Sequence, residues 1–519
     1  MSRILYVPLD ERPCNAKFPQ QIAQASDLDL MSPPVSMLGA KKQPANTAAL
    51  SQWILEQSTQ TDVIIVSLDM LVYGGIVPSR LHHLTEDDCR ARLATIVECK
   101  KKNPNLRIYA FNLIMRAPAY SSSDEEPDYY ADHGTDLARN GWLQDKQARD
   151  GMNEAERLEF DALLSRLPEH VLQDFIERRR TNTAVNNMAI DLVKEGFIDF
   201  LIIPLDDNAK YGYSSSEQRQ LLYVIEEKGL FDRVHLYPGA DEIGCTLFAR
   251  VFCEIKNYRP EIYTRFSSTS GPFAIPKYED RSLGESLKCQ ITAAGGFIGD
   301  HAREADFVLM VNSPPVGQYE MAETTQLFRE RHSSYFSEVN LREFAQAIRV
   351  YAEKGFMVAL ADVAVCNGSD EPLLKLLSGS GLLPKLSAYA GWNTSGNTLG
   401  TVIAHAIVES YYRTNDAVQK PDRSRNSEAF YLSRLVEDWG YQAIIRADIA
   451  ANHLEELGGN YFDVASIHDQ LAGLIHSKME AFLAQYLQDF RLERLMLDNV
   501  ILPWKRMFEV GFDLRVTAD

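Results

Sequence analysis

Two carboxylates stand side by side at Asp206-Asp207, followed by Asn208, directly after the apolar run of residues 200–205. Neighbouring carboxylates disfavour each other's ionisation, so such a pair offers both an acid and a base near neutral pH. A helix cap needs only one of them, and Ser214 with Glu217 already reads as the capping box of the next helix. Asp206 and Asp207 are therefore the first candidates for general acid–base chemistry, with Asn208 beside them as a substrate contact. Similar polar residues follow the other apolar runs: Asp10 and Arg12, Asp69 and Tyr73, Asn112, Asp241 and Glu242, Asn312, Asp362, and Trp392 with Asn393. Convergence of these residues would make a substrate pocket. Asp10, Asp69 and Asn312 also admit a plainer role as helix caps. Tyr73 and Trp392 offer flat faces on which a sugar ring can stack, and Trp392 equally suits a core position.

The elements that would position these residues are short apolar runs rich in β-branched side chains, at 4–9, 63–68, 107–113, 200–205, 234–237, 307–311, 357–360 and 386–389. Runs without polar alternation indicate strands covered on both faces, as in parallel sheets. Helical periodicity follows most of them, for example after Asn340, where Glu343 completes a cap signal. Alternating strands and helices give an α/β fold, and eight strands match a (β/α)8 TIM-like barrel, whose active site lies at the carboxyl ends of the strands. Residues 28–31 and 262–266 are further strand candidates, and either would favour the alternative, an open doubly wound sheet. The expected organisation is a catalytic domain over 1–415, with insertions at 119–182 and 256–303, and a mainly helical region over 416–519 packed on it. The latter includes helices near 428–437 and 467–490 and a strand pair within 504–516.

Composition narrows the partners. The 519 residues include 53 basic and 72 acidic side chains, a formal charge of −19. A surface this acidic repels phosphate backbones and anionic lipid, so neither nucleic acid nor a membrane is an expected partner. The basic clusters 100–102 and 178–180 read as solvated helix faces. The first residues lack the features of a signal peptide. The seven cysteines are scattered without a C-x-x-C pair, which fits a reducing cytoplasm. The sequence has no phosphate-binding glycine loop, no H-E-x-x-H and no G-x-S-x-G, so no cofactor and no metal ligand is expected. The expected partner is a small carbohydrate, and assembly into a homo-oligomer is compatible with the sequence.

Several segments together resemble a bacterial family known as domain of unknown function 4127. They are Val7-Pro8-Leu9-Asp10-Glu11-Arg12-Pro13, Asp69-Met70-Leu71-Val72-Tyr73-Gly74-Gly75, Pro204-Leu205-Asp206-Asp207-Asn208, Gly239-Ala240-Asp241-Glu242, Ala361-Asp362-Val363-Ala364 and Tyr389-Ala390-Gly391-Trp392-Asn393-Thr394. That family name conveys no activity. A narrower likeness, an Asp-Asp pair after barrel strand four, resembles the retaining N-acetylglucosaminidases of glycoside hydrolase family 84. That resemblance implies that Asp206 orients the substrate acetamido group and that Asp207 is the general acid and then the base, with Asn312 and Asn393 on sugar hydroxyls. The expected function is thus a glycoside hydrolase acting on an N-acetylhexosamine by substrate-assisted catalysis. A direct version uses Asp207 with Asp362 as nucleophile. The alternatives are a hydrolase or lyase with a divalent cation on Asp10, Asp69, Asp206 and Asp362, and a non-catalytic sugar-binding protein.

Overall fold

The computed structural model describes residues 2–415 and 422–518, so the expected boundary at 415/416 adjoins residues outside the described ones. In the first half, β1 (Arg3–Val7), β2 (Asp29–Met31), β3 (Val63–Ser67), β4 (Arg107–Phe111), β5 (Phe200–Leu205) and β6 (Val234–Pro238) form a parallel sheet in the order β2-β1-β3-β4-β5-β6. In the second half, β7 (Glu261–Phe266), β8 (Phe297–Ile298), β9 (Phe307–Asn312), β10 (Val358–Asp362) and β11 (Ala388–Ala390) form another, in the order β11-β10-β9-β7-β8. Each sheet places its first strand between its second and third, which is the doubly wound arrangement with its switch point at that first strand. The fold is therefore α/β with two open parallel sheets.

A single closed eight-stranded barrel is not what forms: among the described residues, no strand of one sheet pairs with a strand of the other. Apolar runs signal strands covered on both faces, and that condition holds for closed and open sheets alike. Residues 28–31 and 262–266 are both strands, β2 and β7, as the open alternative requires. The segment 256–303 is accordingly part of the second sheet and not an insertion. Its strand β7 lies next to the edge strand β8, and Glu261, Tyr263, Thr264 and Arg265 interrupt its apolar character.

Strand alternation builds the core. In β1, Ile4 and Tyr6 face a central cluster while Leu5 and Val7 face an outer one. In β9, Phe307, Leu309 and Val311 face that same central cluster, while Val308 and Met310 face the outside. Between the two inner faces lie the helices Ile243–Lys256 and Ser395–Thr414, both buried along nearly their whole length. Thr394 opens the second by accepting from Asn397 N. The outer face of the second sheet shares a cluster with the helices Leu341–Glu353 and Glu371–Gly379 and with the C-terminal residues, where the helix His468–Tyr486 packs on β12 (Leu495–Ile501), the antiparallel partner of β13 (Gly511–Val516). No helix of the described residues is long and apolar enough to cross a membrane.

Candidate active site

Ile114 N donates to Pro204 O at 2.9 Å, so the chain leaving β4 runs on beside β5 and carries Arg116 next to the Asp pair. Several residues fix that extension. Asp69 Oδ2 accepts from Leu113 N at 2.9 Å, and Asn112 joins Asn186, whose amide reaches Leu113 O at 3.1 Å. Arg179 donates to Arg116 O at 3.0 Å and to Met115 O at 2.7 Å while pairing with Glu217 at 2.6 Å. Arg178 and Arg179 are thus buried rather than solvated. Ser214 bonds Met115 O at 3.0 Å and Glu217 is spent on Arg179, so the expected capping box does not form. Two capping residues became supports for the site because a buried guanidinium needs acceptors more than a helix end does.

The assembled cluster is dense with charge. Arg80 Nη2 donates to Asp206 Oδ2 at 2.7 Å, and Arg116 Nη1 to Asp207 Oδ2 at 3.2 Å. The acidic segment following β4 closes over them: Glu126 Oε1 accepts from Arg116 Nε at 2.8 Å, and Glu125 meets Arg80, Arg116 and Arg506. Against the cost of its burial, Arg116, Arg506 and Arg80 hold Glu125 well below the usual carboxylate range. Burial, and then the adjacent Asp206, pushes Asp207 up to about 6. Its side chain keeps 26% of its surface exposed, whereas that of Asp206 keeps 9%.

This cluster forms one wall of a cavity of about 560 Å³ between the two halves. Arg12, Asp206, Asp207, Asp241 and Glu125 line it from the first half, Tyr278, Glu279, Asn367 and Asn393 from the second, and Tyr461, Phe462, Arg506 and Phe508 from the C-terminal region. Arg12 bridges Asp10 at 2.7 Å, Asp241 at 2.6 Å and Glu509 at 3.1 Å, with its guanidinium 4.5 Å from the Trp504 ring centre. Burial raises Asp241 against the pull of Arg12. Asn208 N donates to Tyr278 O at 2.9 Å, which ties the Glu279 segment to the Asp pair.

Of the residues singled out in the sequence, Asp206, Asp207, Arg12, Asp241 and Asn393 line the cavity. Asp10, Asp69, Asn112 and Asn208 sit behind it as supports, and burial raises both Asp10 and Asp69 to about 7. None of Asp10, Asp69 and Asn312 caps a helix: Arg12 and Ser67 occupy the cap positions after β1 and β3. Glu242 accepts from Gln290 at 2.7 Å and Ala240 N at 3.0 Å, close enough to Gly239 that a Cβ there would lie 2.1 Å from Oε1. Tyr73 is buried against His82 at 4.5 Å, and Trp392 lies in the central core, so neither presents a face to the cavity. Asn312 and Asp362 belong to a separate buried cluster with Asp370 and Arg331. The metal alternative needs Asp10, Asp69, Asp206 and Asp362 together, and the fold sends Asp362 to the other sheet. Among the described residues, no group of three or more His, Cys, Asp or Glu side chains is placed to hold a metal ion.

The family model described as "Protein of unknown function (DUF4127)" matches residues 4–513. The chain belongs to the DUF4127 family. A comparison with curated proteins returned no match for this DUF4127 chain. Among solved structures, the carboxyl transferase domain from Rhizobium etli pyruvate carboxylase with 3-bromopyruvate is matched at 11% identity and a TM-score of 0.20, over 93% of this chain and 60% of that one. A likeness that low says nothing of fold or activity here. The resemblance to glycoside hydrolase family 84 is not carried either: in this DUF4127 protein the Asp pair follows the fifth strand in chain order, in an open sheet.

Proposed function

We propose that the protein is a glycoside hydrolase in which Asp207 is the general acid and then the general base. One observation carries this reading: Asp207 combines access to the cavity with a carboxyl group raised to about 6, beside an Asp206 held by Arg80 at 2.7 Å. The protonated Asp207 gives its proton to the glycosidic oxygen as the bond from the anomeric carbon to that oxygen breaks, and the electron pair leaves with the alcohol. Acidic side chains lining the cavity favour the positive charge that develops on the ring. Water then adds to the anomeric carbon and surrenders a proton to the Asp207 carboxylate, which restores the acid. Where the sugar carries an acetamido group, its carbonyl oxygen can close on the anomeric carbon first, with Asp206 steadying the amide N–H; this is the retaining N-acetylhexosaminidase form of the reading. The seven free cysteines suit a reducing cytoplasm as the place of reaction.

The test is hydrolysis of a panel of nitrophenyl glycosides, N-acetylhexosaminides included, by wild type and Asp207→Asn with and without a chelator. Release that Asp207→Asn abolishes and the chelator spares supports the assignment. Wild-type release that persists undiminished in the variant removes it.

A further inference from the structure

Seven acidic side chains and four arginines line the cavity, with no lysine among the described lining residues. Six of the seven acids have a cation within ion-pair distance: Arg80 serves Asp206, Arg116 serves Asp207, Arg12 serves Asp241, and the acidic segment shares Arg80, Arg116, Arg506 and Lys41. Glu279 is different. It is 1% exposed, one oxygen accepts from Ser286 Oγ, and the other, Oε1, has no hydrogen-bond partner. Among the described residues no cation lies within ion-pair distance of it, and Tyr278 stands next to it on the cavity wall, 39% exposed. A buried carboxyl group lacking both a cation and a second donor is costly unless something supplies them.

We propose that the ligand supplies them: the cavity takes a sugar bearing a protonated primary amine, whose ammonium group pairs with Glu279 beside the Tyr278 ring. An ammonium offers three donors and a compact charge. Glu279 Oε1 has no accessible surface as it stands, so an ammonium satisfies it when the carboxyl group turns toward the cavity, and it also gains from the aromatic face of Tyr278. The surplus of acidic groups in the wall favours a cation over a neutral or anionic sugar. Without a bound cation, burial pushes Glu279 up to about 7, so the approach of an ammonium draws the carboxylate into its charged form. This inference rests on the carbohydrate reading of the cavity; an ammonium sugar has no acetamido carbonyl, so it goes with hydrolysis by Asp207 and water and stands against the N-acetylhexosaminidase form. It assigns Glu279 to binding and leaves proton transfer with Asp207.

The test is calorimetric titration of the full chain with glucosamine, glucose, N-acetylglucosamine and putrescine at neutral pH, in wild type and in Glu279→Gln. The expected result is glucosamine binding about tenfold or more tightly than glucose or N-acetylglucosamine, as one charge-assisted pair implies. That preference is lost in Glu279→Gln. Equal affinities for the three sugars in wild type overturn the proposal, as does a preference that survives in Glu279→Gln. Putrescine binding as tightly as glucosamine overturns the assignment to an amino sugar. The wild-type comparison decides alone if the variant does not fold. Because the readout is binding, an amine preference without hydrolysis of any glycoside would remove the hydrolase reading and leave this one standing. Hydrolysis without an amine preference would do the reverse.

Discussion

At the end of the first sheet, Arg80 and Arg116 hold Asp206 and Asp207 at 2.7 and 3.2 Å, and Asp207 opens onto the cavity. At the end of the second sheet, Arg331 holds Asp370 at 2.6 Å while Asn312 reaches Asp362 at 2.9 Å and Asp370 at 3.2 Å, and none of these four lines that cavity. Both clusters pair carboxylates with arginine at the carboxyl end of a doubly wound sheet. Their difference lies in access. The open cluster keeps a titrating carboxyl group where a ligand can meet it. In the sealed cluster, burial and then Asp370 raise Asp362 to about 8, although its two oxygens accept from Asn312 Nδ2 and Asp370 N. A perturbed carboxyl group is a candidate for catalysis only when something can reach it.

The largest effect that separates the two is on turnover. Asp207→Asn should cost about 10²–10⁴ in kcat/KM, the usual contribution of a positioned acid, with little change in melting temperature. In wild type, kcat/KM should fall as pH rises through about 6, because the acid loses its proton there. A rate flat across that range would separate Asp207 from the proton transfer.

The sealed cluster should answer in stability instead. Arg331→Met leaves Asp370 buried without its partner and should cost about 3–5 kcal/mol in urea unfolding. A loss within experimental error would mean that the cluster opens to water. A gentler probe is Asp362→Asn, which mimics the protonated side chain. Native Asp362 titrates near 8 against an ordinary value of 3.8. Over that interval the unfolded chain releases a proton that the native state keeps, so this group's contribution makes stability fall as pH rises from about 4 to about 8. Asp362→Asn should remove that share of the slope in denaturation series, and an unchanged slope would contradict the assignment.

These contrasts also mark what was legible in the sequence. Asp206-Asp207 and Asp241 could be found because they follow apolar strands whose carboxyl ends gather ligands in any parallel sheet. The acidic segment at 124–126 was visible as charge, but its contact with three arginines was not. Arg80, Glu279 and Arg506 carried no local signal: they come from a short 3₁₀ turn, a loop in the second half and the C-terminal region. Only the meeting of the two sheets brings them together. Polar strand ends looked alike in sequence, and two sheets with the same strand order sent Asp362 and Asn312 to a different place from Asp207. The barrel expectation rested on the eight strongest apolar runs; the further strand candidates at 28–31 and 262–266 are β2 and β7, one short and the other interrupted by polar residues, and they carried the open alternative.

The smallest effect concerns Tyr73. Its hydroxyl has no partner and its ring lies on His82 away from the cavity. Tyr73→Phe should therefore change stability by no more than about 0.5 kcal/mol and leave sugar binding unaltered. A weaker sugar affinity in that variant would move the cavity boundary toward the first sheet's edge.

The most direct measurement takes the glycoside that wild type hydrolyses fastest and compares kcat/KM for Asp207→Asn and Asp362→Asn side by side. Access to the cavity predicts loss of about 10²–10⁴ in Asp207→Asn and near wild-type turnover in Asp362→Asn. Turnover retained by Asp207→Asn and lost in Asp362→Asn would contradict it and move the chemistry to the second sheet.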